Sequence, residues 1–275
     1  PSLPMVMYAI SVGTVSIDEM LTAGILPGIL CGVCLMVYAY IYCKRHPVAH
    51  SEDAEPRMGV LKSLKDGFWA LLTPVIILGG IYSGIFTATE AAAAACVYGL
   101  IVSLFIYKTV NLKMIPDILL RAAGLNAPIL IIVAGATALG RVLTLQNVPA
   151  MLAETLLSIT DNKWIILLLL NILLLIVGML METLSAITIL APILLPVAEG
   201  IGLDPVHFGV IMVANLAIGF VTPPVGTNLY TAASITGLPV KDLTKAIIGP
   251  VVALLVAQVF IVLIEPISTL LPSLL

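Results

Sequence analysis

Charged residues are scarce in this sequence, and their scarcity excludes a soluble globular domain. Only 10% of the 275 residues are Asp, Glu, Lys or Arg, whereas soluble domains carry about 25%. Hydrophobic residues make up 61%, and the mean hydropathy is +1.19. A membrane-spanning helix needs about 20 apolar residues. Four uncharged stretches of 18 to 24 residues meet this need and predict an all-α polytopic membrane protein: Met20–Cys43, Ala122–Gly140, Trp164–Met181 and Ala246–Ile264.

The residue types that carry enzyme chemistry are also nearly missing. His207 is the only one of the three histidines outside the charged loop that holds His46 and His50. The sequence contains no HExxH, paired-aspartate or serine–histidine–aspartate spacing. Four cysteines are too few for a disulfide framework, and no basic patch suggests nucleic acid. We therefore predict that the chain is not an enzyme and has no cofactor and no nucleic-acid partner. An intramembrane enzyme is the weakest alternative.

The positive charges predict the orientation of the helices. Ten of the twelve Lys and Arg residues fall in three loops, which the positive-inside rule places in the cytoplasm: Lys44–Gly67, Lys108–Arg121 and Pro239–Lys245. Arg141 and Lys163 then lie outside. This assignment requires that residues Trp164–Ala198 enter and leave the membrane on the outer side.

Two apolar runs without a hydrophilic turn between them meet that requirement. Trp164–Met181 and Thr183–Ala198 are separated by Glu182 alone. We therefore predict a re-entrant hairpin with its apex within Gly178–Thr188. The alternative is one long tilted helix, broken at its two prolines, Pro192 and Pro196.

Residues Phe68–Tyr107 have basic loops at both ends and predict a second two-pass arrangement. Its turn is expected near Ser83–Glu90. Either Thr87 or Thr89 is placed to cap the second helix, with Glu90 in the first turn, where the helix dipole favours an acid. A role of Glu90 in binding an ion or a substrate is the alternative.

An internal repeat emerges when the sequence is shifted by 223 positions against itself. The opening PSLPMVMYAIS then aligns with PVGTNLYTAAS. The charge rule places the acidic loop after the first copy outside and the basic loop after the second copy inside, so the copies have opposite orientation. Inverted repeats of this kind are typical of secondary transporters, whose sites lie where discontinuous helices meet. Seven identities support the alignment: Pro1/Pro224, Ala9/Ala232, Ser11/Ser234, Ala23/Ala246, Ile25/Ile248, Pro27/Pro250 and Val33/Val256.

The strongest helix breaker in the chain, TPPVG at positions 222–226, lies inside a long uncharged run. Prolines and glycine interrupt a helix, and irregular backbone at membrane depth is tolerated where it lines a cavity. Freed carbonyl groups in Gly219–Val225, together with the Thr222 hydroxyl, are hard oxygen donors suited to Na⁺. The helix that starts after Gly226, with Thr227 and Asn228, directs partial positive charge at an anion. The alternative is a proline-kinked span without a site.

Three segments resemble the large membrane subunit of tripartite ATP-independent periplasmic (TRAP) transporters. They are the opening PSLPMVMY, the segment GGIYSGIFTATEAAAAA (Gly79–Ala95) and Ile189–Tyr230, which contains TPPVG. The similarity runs through nearly the whole chain and corresponds to the C-terminal two-thirds of that subunit. Because the chain also opens without an initiator Met or a signal peptide, we expect it to be part of a longer protein.

This resemblance implies a fold and a function beyond what spacing indicates. It implies an inverted-repeat, elevator-type secondary transporter of the bacterial cell inner membrane, multi-pass, with a re-entrant hairpin and broken helices. A Na⁺ gradient is expected to drive import of an organic acid anion of the C4-dicarboxylate or sialic acid class. The expected partners are a small four-helix membrane subunit and a periplasmic substrate-binding protein.

The resemblance also implies site residues. One Na⁺ site is expected to combine Gly178 at the hairpin apex with Gly219, Thr222 and Val225 at the break, and Pro1 belongs to the edge of the other Na⁺ site. Substrate is expected between the two hairpin apices. Its candidate contacts are Glu182, Thr183, Ser185, Asn228 and Arg141.

The expected organisation has four parts. Residues 1–67 end the first repeat, 68–163 form connecting and scaffold helices, 164–238 hold the second hairpin and broken helix, and 239–275 form the C-terminal helix. A stand-alone Na⁺/carboxylate carrier without a binding protein is the alternative function, and a channel-like or scaffolding subunit is the alternative from another class.

Overall fold

The computed structural model describes residues 2–46, 59–83, 85–147, 151, 162–223 and 226–274, and every regular element in these ranges is a helix. Six of the described segments are long and apolar enough to cross a membrane. The predicted all-α polytopic class is therefore confirmed. The helices are α1 (Leu3–Val12), α2 (Ile17–Ala23), α3 (Ile25–Arg45), α4 (Val60–Tyr82), α5 (Ala88–Ile101), α6 (Ile115–Leu145), α7 (Lys163–Leu180), α8 (Thr183–Gly200), α9 (Pro205–Val221), α10 (Thr227–Thr236), α11 (Val240–Leu263) and α12 (Pro266–Thr269).

The chain divides into two compact units. The first combines Pro1–Arg45 with Ile129–Leu275, and the second is His46–Pro128. The predicted division into 1–67, 68–163, 164–238 and 239–275 stays a prediction.

In the second unit, α4 and α5 form an antiparallel helical hairpin. The Tyr98 hydroxyl donates to the Trp69 carbonyl at 2.7 Å, and the Tyr107 hydroxyl donates to the Asp66 carbonyl at 2.9 Å. A short π-helical turn, Val102–Ile106, continues α5. The predicted pair of helices with a turn near Ser83–Glu90 is therefore confirmed. The cytoplasmic location of both ends stays a prediction.

The start of α5 is fixed by a capping box. Thr87 is the N-cap, and its hydroxyl accepts from the Glu90 N–H at 3.3 Å. The Glu90 carboxylate in turn accepts from the Thr87 N–H at 2.8 Å and from its hydroxyl at 2.9 Å. Of the two predicted caps, Thr87 is correct and Thr89 is wrong. Glu90 has the structural role that its place in the first turn predicted.

In the first unit, α9 is the central helix. It packs against α7, α8 and α11 and also contacts α1 and α2, and most of its side chains are buried. Helix α1 approaches it at Gly209, where an added Cβ would lie 2.5 Å from the Tyr8 ring. The Tyr8 hydroxyl donates to the Pro205 carbonyl at 2.8 Å. The Tyr8 ring packs on Gly209 and thus holds α1, from the first repeat, against α9, which ends at TPPVG.

The hairpin predicted for residues 164–198 consists of two 18-residue helices, α7 and α8. Met181 and Glu182 have extended backbones between them. Pro192 and Pro196 lie inside α8, so the alternative of one long helix broken at its prolines is wrong. Re-entry of this hairpin from the outer side stays a prediction.

The internal repeat has a structural counterpart. Helices α1 and α10 are both ten residues long, and both end at a left-handed glycine, Gly13 (φ 69°) and Gly237 (φ 70°). The next helix begins after Ser16 in the first copy and after Pro239 in the second. The connection is therefore one residue longer in the first copy, which is why one constant shift cannot align both the caps and the following helices. The opposite orientation of the copies stays a prediction.

Candidate functional site

Helix α9 ends at TPPVG and does not continue as a kinked span. Thr222 has an extended backbone (φ −92°, ψ 131°), and the proline that follows it disfavours the helical region. The Thr222 N–H donates to the Gly219 carbonyl at 2.9 Å, and its hydroxyl donates to the Ile218 carbonyl. Helix α10 begins only at Thr227. The chain thus breaks where the sequence predicts.

The end of the first hairpin arm meets this break through two glycines. A Cβ added to Gly219 would lie 2.7 Å from Gly178 Cα and 2.8 Å from the Leu175 carbonyl oxygen. A Cβ added to Gly178 would lie 2.8 Å from the Leu216 carbonyl oxygen. Because real Cβ atoms do not approach other atoms this closely, only glycine fits at either position. The predicted apex residue and the predicted break residue are therefore brought together.

Oxygen atoms at this contact are uncharged. A helix end leaves its last four carbonyl groups without intrahelical donors, and α9 ends here with Phe220 and Val221. The Thr222 hydroxyl uses its proton on Ile218, so its lone pairs are free to accept a cation. No residue between 216 and 230 carries a charge. Neutral hard oxygens suit a monovalent cation better than a divalent one, which draws carboxylate ligands.

At Gly226 the backbone approaches the Thr222 carbonyl group. The Gly226 φ of 41° is in the left-handed region, and an added Cβ would lie 2.9 Å from the Thr222 carbonyl oxygen. Gly226 is also the N-cap of α10 and has no side chain to pair with the first N–H groups. Asn228 is exposed in the first turn of this helix. Among the described residues, the N-cap of α10 thus provides no side chain for its first N–H groups, which are candidates to bind an anion.

At the start of the second hairpin arm, Glu182 caps α8. Its carboxylate accepts from the Ser185 N–H at 3.0 Å and from the Ser185 hydroxyl at 3.2 Å. Glu182 is exposed, Ser185 is half-buried and Thr183 is buried. The anion-attracting N-terminus of α8 is thus already occupied by a side-chain carboxylate. This geometry gives Glu182 a capping role, and its predicted contact with substrate stays a prediction.

The other predicted site residues are placed elsewhere or lie outside the description. Arg141 is exposed on α6, and within the described residues no extensive contact joins α6 to the helices around the break. Pro1 and Val225 lie outside the described residues. The structure therefore brings together Gly178, Gly219 and Thr222, with Asn228 on the helix that follows the break.

A cluster of three amide side chains was not predicted from the sequence. Asn171, Asn215 and Gln258 meet between α7, α9 and α11, beside a cavity of about 520 Å³ whose other lining residues are apolar. This cavity has no basic side chain in its lining to pair with a substrate carboxylate. Each amide is a lone polar residue in an apolar run (LLLLNILLL, MVANLAI, LLVAQVF), and this signal could have identified the cluster.

Comparison with known proteins agrees with this architecture. The family described as "Tripartite ATP-independent periplasmic transporter, DctM component" matches residues 1–267. The isethionate TRAP transporter permease protein DctMQ of Oleidesulfovibrio alaskensis is 43% identical over 97% of this chain and 42% of its own length. The sialic acid TRAP transporter large permease protein SiaM of Vibrio cholerae is 40% identical over 100% of this chain and 64% of its own.

A third relative is the C4-dicarboxylate TRAP transporter large permease protein DctM of Pseudomonas aeruginosa, which is 41% identical over 99% of this chain and 64% of its own length. The chain thus spans between 42% and 64% of the length of these three relatives. The family match covers nearly all of the chain, including α7 to α11, which meet around the break. The chain belongs to the tripartite ATP-independent periplasmic transporter family, as part of its large membrane component, DctM.

Proposed function

We propose that this chain forms the ion- and substrate-binding part of a Na⁺-coupled importer of organic acid anions in the bacterial inner membrane. A small four-helix membrane subunit and a periplasmic substrate-binding protein complete the transporter. The observation that carries the proposal is the contact between Gly178 and Gly219 beside the broken end of α9. This contact joins a hairpin to a discontinuous helix, which is the arrangement that secondary transporters use at their binding sites.

The ion is assigned from the oxygens at this contact. The carbonyl groups that end α9 and the Thr222 hydroxyl offer neutral, hard donors. A Na⁺ bound there attracts the Gly219 carbonyl oxygen and the carbonyl groups at the C-terminal end of α7. It therefore stabilises the contact between the hairpin and the break. Gly178 leaves room for that approach because it has no side chain.

The anion is assigned from the helix that follows the break. The uncapped N-terminus of α10 favours a negative group, and Asn228 adds an amide donor in its first turn. The relatives are named for sialic acid, C4-dicarboxylate and isethionate transport. Each of these compounds is an organic anion with an acidic group, a carboxylate in two cases and a sulfonate in the third. A negative group of this kind suits a helix N-terminus.

Coupling follows from the close approach of the two sites at Gly226. Gly226 links the carbonyl group of Thr222 to the start of α10, so ordering of the break by Na⁺ also orders the N–H groups that face the anion. A ligand shifts a conformational equilibrium only through its differential affinity for the two states. Na⁺ therefore has to bind the anion-loaded form more tightly, and the loaded unit then moves inward as an elevator.

The test is uptake into proteoliposomes that contain the complete permease with its small membrane subunit. A labelled organic acid is supplied with the cognate binding protein, with and without an inward Na⁺ gradient. We expect uptake only when both the gradient and the binding protein are present. Uptake that ignores the binding protein would instead establish a stand-alone Na⁺/carboxylate carrier. Uptake without saturation would establish a channel, and uptake driven equally by H⁺ would overturn the Na⁺ assignment.

A further inference from the structure

The amide cluster links three helices that are distant in the sequence. The Asn171 side-chain oxygen on α7 accepts from Asn215 Nδ2 on α9 at 2.6 Å and from Gln258 Nε2 on α11 at 3.1 Å. Gln258 Nε2 also donates to the Ile211 carbonyl at 3.1 Å, and Asn171 Nδ2 donates to the Leu167 carbonyl at 2.8 Å. Asn215 is 2% exposed and Gln258 is 4% exposed. Asn171 Oδ1 is therefore the shared acceptor that joins α7 to both neighbours.

The cluster lies on the same helix faces as the glycine contact. Asn171 and Gly178 are two helical turns apart on α7, and Asn215 and Gly219 are about one turn apart on α9. The glycine contact has no directional interaction, so by itself it allows the helices to slide or rotate. Such a movement breaks the amide hydrogen bonds and leaves buried polar groups without partners, which costs free energy. The amides thus supply the register that the glycines lack.

Packing alone does not hold α11 on α7. A cavity of about 520 Å³ lies between them, and within the described residues they share few contacts apart from the hydrogen bond between Gln258 and Asn171. Helix α11 follows α10, which begins on the far side of the break. The cluster therefore ties the segment before the break, α9, to the segment after it, α11.

We propose that Asn171 is a positioning residue that sets the register of α7 against α9, and with it the approach of Gly178 to the ion site at Gly219 and Thr222. Asn171 does not touch the ion. Buried amides are known to fix the register of packed helices in this way. The inference rests on the proposed Na⁺ site, but the register itself is measurable without transport.

The first experiment measures Na⁺ dependence in the complete permease with its small membrane subunit and binding protein. Asn171→Leu keeps the side-chain size and removes the shared acceptor. We expect the Na⁺ concentration for half-maximal uptake to rise roughly 3- to 30-fold, the range of coupling changes caused by residues outside a site. Uptake at saturating Na⁺ should stay within about twofold of the wild type, because the ligands themselves are intact. An unchanged Na⁺ requirement would overturn the proposal.

A double-mutant cycle and a matched control separate positioning from general damage. Asn215→Leu should also raise the Na⁺ requirement. The Asn171→Leu/Asn215→Leu pair should raise it about as much as Asn171→Leu alone, because Asn171→Leu already removes the hydrogen bond that Asn215 donates. Thr22→Val removes another buried polar group, whose hydroxyl donates to the Asp18 carbonyl at 2.8 Å in α2. It should leave the Na⁺ requirement unchanged. Additive effects of the two asparagine variants, or an equal effect of Thr22→Val, would reject a positioning role.

The second experiment measures hydrogen exchange and does not depend on transport. The Met181 N–H donates to Val177 at the end of α7, and the Thr222 N–H donates to Gly219 at the end of α9. Asn171→Leu should speed exchange at both amides, while Thr22→Val should not. Faster exchange in Asn171→Leu, together with Na⁺-independent uptake by the wild type, would support the register role of Asn171 and reject the proposed Na⁺-coupled function. Unchanged exchange would reject the register, whatever the transport assay gives.

Discussion

Gly178 and Gly219 pack backbone against backbone, with no room for a methyl group at either residue. A hairpin arm and a broken helix can approach this closely only where both lack side chains. Carbonyl groups from the end of α9 are thereby brought beside the end of α7. The last carbonyl groups of both helices lack intrahelical donors, and the contact brings these oxygen atoms close together.

Gly219→Ala tests this contact directly. The added methyl group meets the Gly178 backbone and the Leu175 carbonyl, which cannot move like a flexible side chain. Overpacking of this kind costs about 1–3 kcal/mol. We expect a lower melting temperature of the complex and a Na⁺ requirement raised by roughly tenfold, measured by Na⁺-dependent uptake.

Gly99→Ala is the matched control for that variant. Gly99 is also a helical glycine, but an added Cβ meets nothing within 4 Å. Alanine should be neutral or slightly stabilising there, because it favours the helix over glycine. Equal losses in both variants would mean that the glycine contact has no special role.

Thr222→Ala is expected to weaken Na⁺ dependence without preventing insertion into the membrane. It removes the hydroxyl whose lone pairs face the proposed ion, and a contact with a charged partner contributes about 1.5–3 kcal/mol. The Na⁺ concentration for half-maximal uptake should therefore rise roughly tenfold or more. Thr222→Ser keeps the hydroxyl and should stay close to the wild type. Normal Na⁺ affinity in Thr222→Ala would falsify the assignment.

Variants of Glu182 distinguish two roles of this residue, helix capping and substrate contact. If it serves as the N-cap of α8, Glu182→Ala should lower stability by about 0.5–2 kcal/mol, with little change in the KM for the anion. Glu182→Asp should retain the cap and the stability. The measurements are thermal unfolding of the purified complex and KM from uptake. A large rise in KM at unchanged stability would instead assign Glu182 to the substrate.

Much of this fold can be predicted from local sequence signals, and the site only in part. Apolar runs identify the helices, and the prolines of TPPVG identify the break, because both effects act within a few residues. The meeting of Gly178 with Gly219 required the family resemblance, since nothing local relates positions so far apart. The Asn171 cluster depends on the packing of three helices, which periodicity does not specify.

Smaller differences have equally physical causes. The family resemblance places Glu182 near the substrate, between the hairpin apices, whereas the structure shows its carboxylate as the N-cap of α8. Its contact with substrate stays a prediction. The repeat was aligned with one constant shift, but the connection after Gly13 has one more residue than the connection after Gly237. Loops absorb insertions that helices do not, so a constant shift fails at a loop.

Gly226→Ala, compared with Gly237→Ala, isolates the link between the two proposed sites. Both glycines have a left-handed backbone, with φ of 41° and 70°, so alanine costs each about 1–2 kcal/mol from backbone strain. Only at Gly226 does the added Cβ also press on the Thr222 carbonyl oxygen, at 2.9 Å, while at Gly237 it meets open space. Both variants should therefore lose stability in thermal unfolding, and Gly226→Ala should lose more, because overpacking adds to the backbone strain. Gly226→Ala alone should raise both the Na⁺ requirement and the KM for the anion, because it displaces an ion-site oxygen and the start of α10 together. If the two variants behave alike in uptake, strain explains both, and ordering of the break by Na⁺ is not what prepares the anion site.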